Sequence, residues 1–328
     1  MSKLKKIRKW IISDTINGIL LFTPNKILQR GPDFAAVVAL ITVSLVWGTT
    51  WVASKQAVMH IPQLQMAGIR QILGGSLYLG YFIYKKYPMP SRQDFAPLIV
   101  LALLNFVLSN GLSTWGIKYI SAGLGSIIGA IFPLWIVMIS FFSDKIYPPK
   151  KAVAGLLIGF IGVCVIFYDY LADFVNPDFR FGIFLSLLAT WSWAFGTIYT
   201  KKHATVFNPY FGIGFQMVLS GCILSSIAYV SPGYTPLFEI PQMTWLAILY
   251  LVVFGSLIGF VCYLYALQHL PAAQASIYAY INPIIALITG WLILDESLNF
   301  VILLGCVVTL SGIYLVNTSF RARNEQLT

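Results

Sequence analysis

Residues 275–290 read ASIYAYINPIIALITG, and residues 125–140 read GSIIGAIFPLWIVMIS. Both stretches are apolar runs of the kind that cross a bilayer, and both carry a proline near the middle, Pro283 and Pro133. Proline lacks a backbone N–H and its ring crowds the carbonyl one turn earlier. In lipid, a carbonyl freed in this way has to face protein or a wet cavity. The paired prolines therefore predict two matched faces around a mid-membrane cavity, with a pair of packing kinks as the alternative.

The composition excludes an ordinary soluble fold. Of the 328 residues, 58% are hydrophobic and 10% are charged, and the mean hydropathy is +0.80, whereas about a quarter of the residues of globular proteins are charged. Apolar stretches of about 20 residues, enough to cross a hydrocarbon core of about 30 Å, are centred near residues 47, 75, 106, 131, 160, 191, 219, 256, 282 and 308. The sequence therefore predicts an all-α integral membrane protein with ten transmembrane helices.

The net charge of +10 indicates an orientation in the membrane and not a nucleic-acid partner. If the N-terminus is cytoplasmic, all but four of the 21 basic residues fall in inner loops or termini, the exceptions being Lys55, Arg70, Lys118 and Arg180. An excess of Lys and Arg marks the cytoplasmic side of membrane proteins. We therefore predict a multi-pass protein of the bacterial inner membrane with both termini in the cytoplasm.

The chain repeats its own pattern. Residues 119–168 lie over residues 269–318 without a gap, and Gly48 and Thr49 match Gly196 and Thr197. Seven residues of the first match recur unchanged 150 positions later, namely Ala122, Ser126, Ile127, Ile131, Pro133, Gly155 and Gly162. The predicted organisation is a basic amphipathic N-terminal segment (1–34), a first five-helix repeat (35–168), a second (180–318) and a tail (319–328).

An odd number of helices per repeat makes the second repeat enter the membrane from the opposite side. The loop charges agree, because Lys150 and Lys151 follow the fourth predicted helix whereas Asp295 and Glu296 follow the ninth. Two inverted five-helix repeats are typical of secondary transporters, in which related halves exchange conformations.

The sequence resembles the EamA-type members of the drug/metabolite transporter superfamily. The resemblance covers about residues 35–318 and rests on WGTTW (47–51), ISAGLGSIIGAIFPLW (120–135) and LPAAQASIYAYINPIIALITGWLILDESL (270–298). It implies a single central cavity between the two halves, and the export or exchange of small metabolites.

Candidate substrate-binding residues are the polar or aromatic side chains in the predicted spans, together with the two prolines. They are Trp47, Arg70, Asn105, Asn110, Pro133, Trp193, Gln216, Tyr263, Tyr278, Asn282 and Pro283. The amides and phenols could contact a solute or only join helices by hydrogen bonds. Arg70 could pair with a carboxylate or phosphate, or could snorkel to the outer headgroups. Trp47 and Trp193 predict an aromatic lining that stacks on a solute, or else an ordinary core.

We therefore predict a secondary transporter, not an enzyme, that moves an amino acid-like or amphipathic aromatic metabolite by alternating access. The resemblance favours export; import, or an intramembrane lipid-modifying enzyme, is the alternative. The chain contains no Walker-type phosphate loop, and its four cysteines and three histidines have no metal-ligand spacing. We expect no cofactor and no metal. The expected partners are a small-molecule substrate and the lipid bilayer, without nucleic acid, for a monomer or homodimer.

Overall fold

The computed structural model describes residues 32–144, 149–168, 175–203, 208–294 and 299–325, and these residues form helices and connecting turns without a strand. The N-terminal segment predicted to lie on the membrane surface falls, up to residue 31, outside the described residues. So do Asp295 and Glu296, on which part of the prediction of inverted halves rests.

Ten helical segments follow one another in the described part of the chain. They are α1 (Pro32–Val58), α2 (Gln63–Tyr84), α3 (Phe95–Gly116), α4 (Ala122–Gly129 and Phe132–Asp144), α5 (Lys150–Phe167), α6 (Pro177–His203), α7 (Pro209–Val230), α8 (Gln242–His269), α9 (Ala272–Ala275 and Tyr278–Leu294) and α10 (Phe300–Glu325). Six of them, α1, α3, α4, α6, α7 and α8, are long and apolar enough to cross a membrane, and α9 and α10 contain shorter apolar helices. The predicted all-helical membrane architecture is confirmed at this level.

The outward faces of these helices are apolar. Ile41 and Leu45 of α1, Phe184 of α6, and Leu304 and Val307 of α10 are all exposed. A soluble monomer rarely exposes so much contiguous apolar surface. Lipid tails are the solvent that such a surface fits, and the polar side chains discussed below lie inside the bundle.

The helical segments α4 and α9, which carry the paired Pro133 and Pro283, are both interrupted, but at different places. Segment α4 stops at Gly129 and resumes at Phe132, so Pro133 lies in the first turn of its second part. A first-turn position suits proline, because the missing N–H has no partner there in any case. In α9 the interruption falls at residues 276–277, and Pro283 lies inside the helix that follows.

Helices α3 and α8 each contain a π-helical segment, at Ala102–Gly111 and Leu251–Ile258. Such wider turns are rare and occur often at functional sites, because they shift carbonyls out of the regular ladder. In α8 the Gly255 carbonyl accepts a hydrogen bond from Trp47 Nε1 of α1 at 2.9 Å. Asn105, Ser109 and Asn110 of the segment in α3 line the central cavity described below.

The helices pair mainly between the two halves of the chain. Helix α2 packs along α7 and α5 along α10, while α1 packs on α8 and α9, and α6 on α3 and α4. The α5–α10 pair requires glycine, since a Cβ on Gly162 would lie 2.7 Å from the carbonyl oxygen of Gly305. This pairing places α1, α3, α4, α6, α8 and α9 around a common centre.

Candidate functional site

A cavity of about 150 Å³ lies at this centre. It extends toward the end of the bundle where α1 and α3 terminate, which we call the Lys55 end; α6 and α8 terminate at the opposite, Lys201 end. Small hydroxyl side chains of α1, α3 and α6 line its walls, namely Thr50, Ser54, Ser109, Ser113, Ser186 and Thr190. The hydroxyls of Thr50, Ser113, Ser186 and Thr190 donate to backbone carbonyls of their own helices, so they offer a solute mainly acceptor lone pairs.

Five aromatic rings close the cavity toward the Lys201 end. The ring of Trp47 lies 5.8 Å from that of Trp193, 5.2 Å from those of Phe260 and Tyr263, and 5.0 Å from that of Tyr278. Trp193 Nε1 donates to Tyr278 Oη at 2.7 Å. We call these five residues the aromatic cluster. Its edge-to-face contacts are favourable for aromatic rings, so the cluster is a packed wall.

A second cavity, of about 20 Å³, lies beyond this wall on the side of the Lys201 end. Its volume corresponds to about one water molecule. Asn105, Trp193 and Phe260 border both cavities, and therefore form the partition between them. Gln216 and Tyr263 line only the smaller cavity, where Tyr263 Oη and Thr197 Oγ1 share a hydrogen bond of 2.6 Å.

Arg70 of α2 lines the larger cavity and is the only charged side chain among the described residues that do so. It is 6% exposed, and its Nε donates to Ser256 Oγ, in the π-helical segment of α8, at 3.1 Å. The snorkelling interpretation is wrong for this side chain, because Arg70 is enclosed by protein and directed at α8. A buried guanidinium inside a membrane protein is costly, and such residues mark solute pathways.

Asn282, directly before the proline of α9, joins two helices at the cavity. With its amide nitrogen turned toward the acceptors around it, Asn282 donates to the Ser44 carbonyl of α1 at 3.0 Å and to the Tyr278 carbonyl at 3.1 Å. The residue also lines the cavity, as does Ala279, whose carbonyl Pro283 deprives of its helical donor. The two interpretations of Asn282, helix joining and solute contact, are therefore compatible.

The amides of α3 are less completely bonded. Asn110 Oδ1 accepts from Gln71 Nε2 at 2.9 Å. Asn105 Nδ2 reaches Gln216 Oε1 only at 3.5 Å, and Asn105 Oδ1 is buried without a partner. A buried polar atom without a partner costs free energy unless something else bonds to it. The partition between the cavities therefore keeps an open acceptor.

The structure brings most of the predicted site residues together. Those that line the larger cavity are Trp47, Arg70, Asn105, Asn110, Trp193, Tyr278 and Asn282. Pro133 and Pro283 line neither cavity, although Gly129 and Ala279, the residues four positions before them, line the larger one. Trp51 and the small hydroxyl residues also line it and were not predicted. A signal was present in α3, where Ser109 and Ser113 are four residues apart and so lie on one face.

Comparison with known proteins is consistent with this geometry. Residues 34–168 and residues 180–318 match the EamA-like transporter family. Transporter YvbV of Bacillus subtilis is 28% identical over 299 residues, which cover 90% of this chain and 96% of that protein. The inner membrane transporter YedA of Escherichia coli K12 is 28% identical over 291 residues, covering 88% and 91%.

A WAT1-related chloroplastic protein of Arabidopsis thaliana is 29% identical over 287 residues, covering 85% of this chain and 68% of that protein. A protein of known crystal structure has the same fold, with a TM-score of 0.72 at 16% identity, over 88% of this chain and 98% of that one. The two family matches together span well over half of the residues, and they confirm the resemblance found in the sequence. The chain is a multi-pass membrane protein and belongs to the EamA-like transporter family.

Proposed function

We propose that this protein is a secondary transporter that exports a small metabolite by alternating access around the central cavity. The observation that supports the proposal is that two cavities of unequal size lie one after the other between the two ends of the bundle. The larger reaches from the partition toward the Lys55 end, and the smaller lies across Asn105, Trp193 and Phe260. A solute held at the partition would leave by either end, depending on which cavity is open.

We propose that ten membrane-spanning helices form two inverted five-helix repeats, at 35–168 and 180–318, with both termini in the cytoplasm of a bacterial cell. Two matches to one family support the repeat, as do the π-helical segments at Ala102–Gly111 and Leu251–Ile258, which lie about the same distance apart as the paired prolines. The distribution of basic residues supports the orientation. In this orientation the Lys55 end faces away from the cytoplasm.

The proposed solute is amino acid-like or an amphipathic aromatic metabolite. The hydroxyl walls fit its polar groups, and the aromatic cluster fits a flat or apolar part. Transport is proposed over catalysis because the relatives with similar length are named as transporters. Export is proposed because of the family resemblance. Import is the alternative, and the experiment below distinguishes it from export.

The test is untargeted metabolite profiling of the medium of bacteria that overproduce the protein. Four strains are compared: wild type, empty vector, Ser113→Trp, which places an indole in the wall of the larger cavity, and Gly80→Ala. Gly80 is a matched control, because it is exposed on α2 and a Cβ there meets nothing within 4 Å. Immunoblots of the membrane fraction show that all variants are present at equal amounts.

We expect a compound that accumulates in the medium with wild type and Gly80→Ala, and that falls to the empty-vector level with Ser113→Trp. If wild type instead depletes one compound selectively from the medium, the protein imports that compound and the proposal of export is wrong. Equal profiles in all four strains, or accumulation that Ser113→Trp leaves unchanged, would contradict transport through this cavity.

A further inference from the structure

We propose that the transported solute is a small organic anion, and that its carboxylate pairs with Arg70 inside the larger cavity. This inference rests on the proposed function and adds the charge and size of the solute to it. Three observations on Arg70 support the inference: its side chain is buried, its guanidinium group makes few hydrogen bonds, and no described acidic side chain pairs with it.

Arg70 lies deep in the protein. It is seven residues beyond Gln63, where α2 begins, which corresponds to roughly 10 Å along the helix. Its single hydrogen bond within the described residues is that from Nε to the neutral hydroxyl of Ser256. A hydroxyl orients a guanidinium but does not neutralise its charge. In a medium of low dielectric constant, a cation held this way strongly attracts an anion.

No described acidic side chain supplies that anion. Asp94 accepts hydrogen bonds from the backbone and hydroxyl of Ser91 at the start of α3, while Asp178 begins α6 and Glu239 lies exposed before α8. The described lining of the cavity contains no Asp or Glu. We infer that a counterion enters with the solute.

Arg70 keeps two nitrogens that can donate to a carboxylate. Nη1 and Nη2 of Arg70 make no hydrogen bond to the described residues, and a guanidinium edge binds a carboxylate through two parallel bonds. Asn110 lines the same cavity, and its amide nitrogen remains available because Gln71 takes only the oxygen. Thr114 also lines it and adds a hydroxyl donor. The site therefore has donors of several kinds around one fixed positive charge.

The remaining space limits the rest of the solute. The cavity has a volume of about 150 Å³, similar to cavities that hold a molecule the size of benzene. Trp47, Trp193 and Tyr278 offer an apolar surface on its inner side. A solute of roughly six to ten non-hydrogen atoms fits this space. A monocarboxylate and an α-amino acid both present the required carboxylate, and in an amino acid the carbonyl of Ala279 could accept from the ammonium group.

The experiment measures binding to the purified full-length protein in lipid nanodiscs, by thermal shift and by isothermal titration. The probes are three carboxylates, each paired with its neutral amide: isovalerate and isovaleramide, benzoate and benzamide, and L-leucine and L-leucinamide. Sodium chloride forms a further arm. We expect at least one carboxylate to bind about ten- to a hundredfold more tightly than its amide, the range expected for a charge-assisted hydrogen bond.

The arms also separate the two sources of the carboxylate. Preference confined to isovalerate or benzoate identifies a monocarboxylate, and preference for L-leucine identifies an amino acid. Stabilisation by chloride that equals the best carboxylate would overturn the assignment in favour of an inorganic anion.

Variants of Arg70 locate the effect. Arg70→Gln should remove the preference for carboxylate over amide, and Arg70→Lys should retain part of it, because the charge remains without the planar fork. Ser256→Ala keeps the charge but frees the guanidinium, so we expect an intermediate loss. Gly80→Ala should bind as wild type does.

A measurement on the wild-type protein covers the case in which Arg70→Gln fails to fold. Phenylglyoxal modifies accessible guanidinium groups, and mass spectrometry of the peptide that contains Arg70 reports its rate. The preferred carboxylate should slow this modification, and its amide should not. Absence of any carboxylate preference, or the same preference in Arg70→Gln, overturns the inference. If Ser113→Trp still abolishes export in that case, the proposed function stands and only the anion assignment is lost.

Discussion

The two ends of the bundle are built from similar elements, yet the cavities that the described residues form there differ greatly in size. Helix α3 and helix α8 each contain a π-helical segment near the centre, and each continues to one end of the bundle. The cavity beside the last turns of α3 measures about 150 Å³, and that beside the last turns of α8 about 20 Å³. The backbone alone does not explain this difference.

Side-chain volume explains it. Residues of α3 and their counterparts 150 positions later in α8 are Asn110 and Phe260, Ser113 and Tyr263, and Thr114 and Leu264. The α3 member of each pair is small and polar and lines the larger cavity, whereas the α8 member is large and at most 4% exposed. Bulky side chains close the Lys201 end, and small ones leave the Lys55 end open. In the proposed repeat, the two ends therefore open to different widths.

The largest predicted effect comes from removing this difference in volume. Two cysteine reporters measure access, Ser54→Cys in the larger cavity and Ile213→Cys in the smaller, in a protein whose native cysteines are replaced by alanine. The native residues are 9% and 4% exposed, so their burial is similar. We expect a water-soluble maleimide to label Ser54→Cys about ten- to a thousandfold faster than Ile213→Cys. The reagent reaches the cysteine of Ile213→Cys only in a minor conformation in which the Lys201 end is open.

Replacing Tyr263 by Ser and Leu264 by Thr should raise labelling of Ile213→Cys about tenfold, with little change at Ser54→Cys. The same double variant should lower the free energy of unfolding by about 2–5 kcal/mol, as large-to-small core substitutions do. The reciprocal change, Ser113→Tyr with Thr114→Leu, is the matched control and should slow labelling of Ser54→Cys. Equal labelling of both reporters before any substitution would refute the comparison of the two ends.

A second, smaller difference lies in two glycines, Gly48 of α1 and Gly196 of α6. A Cβ on Gly48 would lie 2.5 Å from Ile285 Cβ, close to the backbone of α9, whereas a Cβ on Gly196 would overlap the terminal Oδ1 of Asn105. Alanine at Gly48 should cost about 1–3 kcal/mol, the usual range for overpacking. Alanine at Gly196 should cost less, because the Asn105 amide can rotate away.

Thermal unfolding of Gly48→Ala, Gly196→Ala and the exposed control Gly80→Ala measures this order. Gly80→Ala should be neutral or slightly stabilising, since alanine is favoured over glycine in a helix. A larger loss for Gly196→Ala than for Gly48→Ala would show that the partition at Asn105 is rigid, and that its amide does not adjust when a solute passes.

The sequence predicted the membrane class, the family and the aromatic cavity wall, because those depend on local or repeated patterns. Two tryptophans far from any interface already indicated an unusual interior. The burial of Arg70 could not be predicted, since it depends on Ser256, a partner distant in sequence. The hydroxyl lining could not be predicted for a different reason. Thr190 and Ser311 both bond to the carbonyl four residues earlier, yet the first lines the cavity and the second is exposed.

The smallest predicted effect concerns the lysines that give the two ends their names. Lys55 Nζ donates to the carbonyls of Ile117 and Ile120 at 2.9 and 2.8 Å, and Lys201 Nζ donates to that of Leu270 at 2.8 Å. Ile120 and Leu270 are again 150 positions apart. Each lysine therefore ties the end of the first helix of a proposed repeat to the end of the third, at opposite ends of the bundle.

Lys55 is half-buried and Lys201 is exposed, so water competes more effectively for the Lys201 bond. Replacing Lys55 by Met should lower the free energy of unfolding by about 1–2 kcal/mol, and Lys201→Met by less than about 1 kcal/mol. In the labelling assay, Lys201→Met should raise the rate at Ile213→Cys about twofold at most, because Phe260, Tyr263 and Leu264 still close that end. If instead Lys201→Met opens the smaller cavity as fully as the Tyr263→Ser, Leu264→Thr double variant does, the polar tie would hold the Lys201 end shut, and side-chain volume would be secondary.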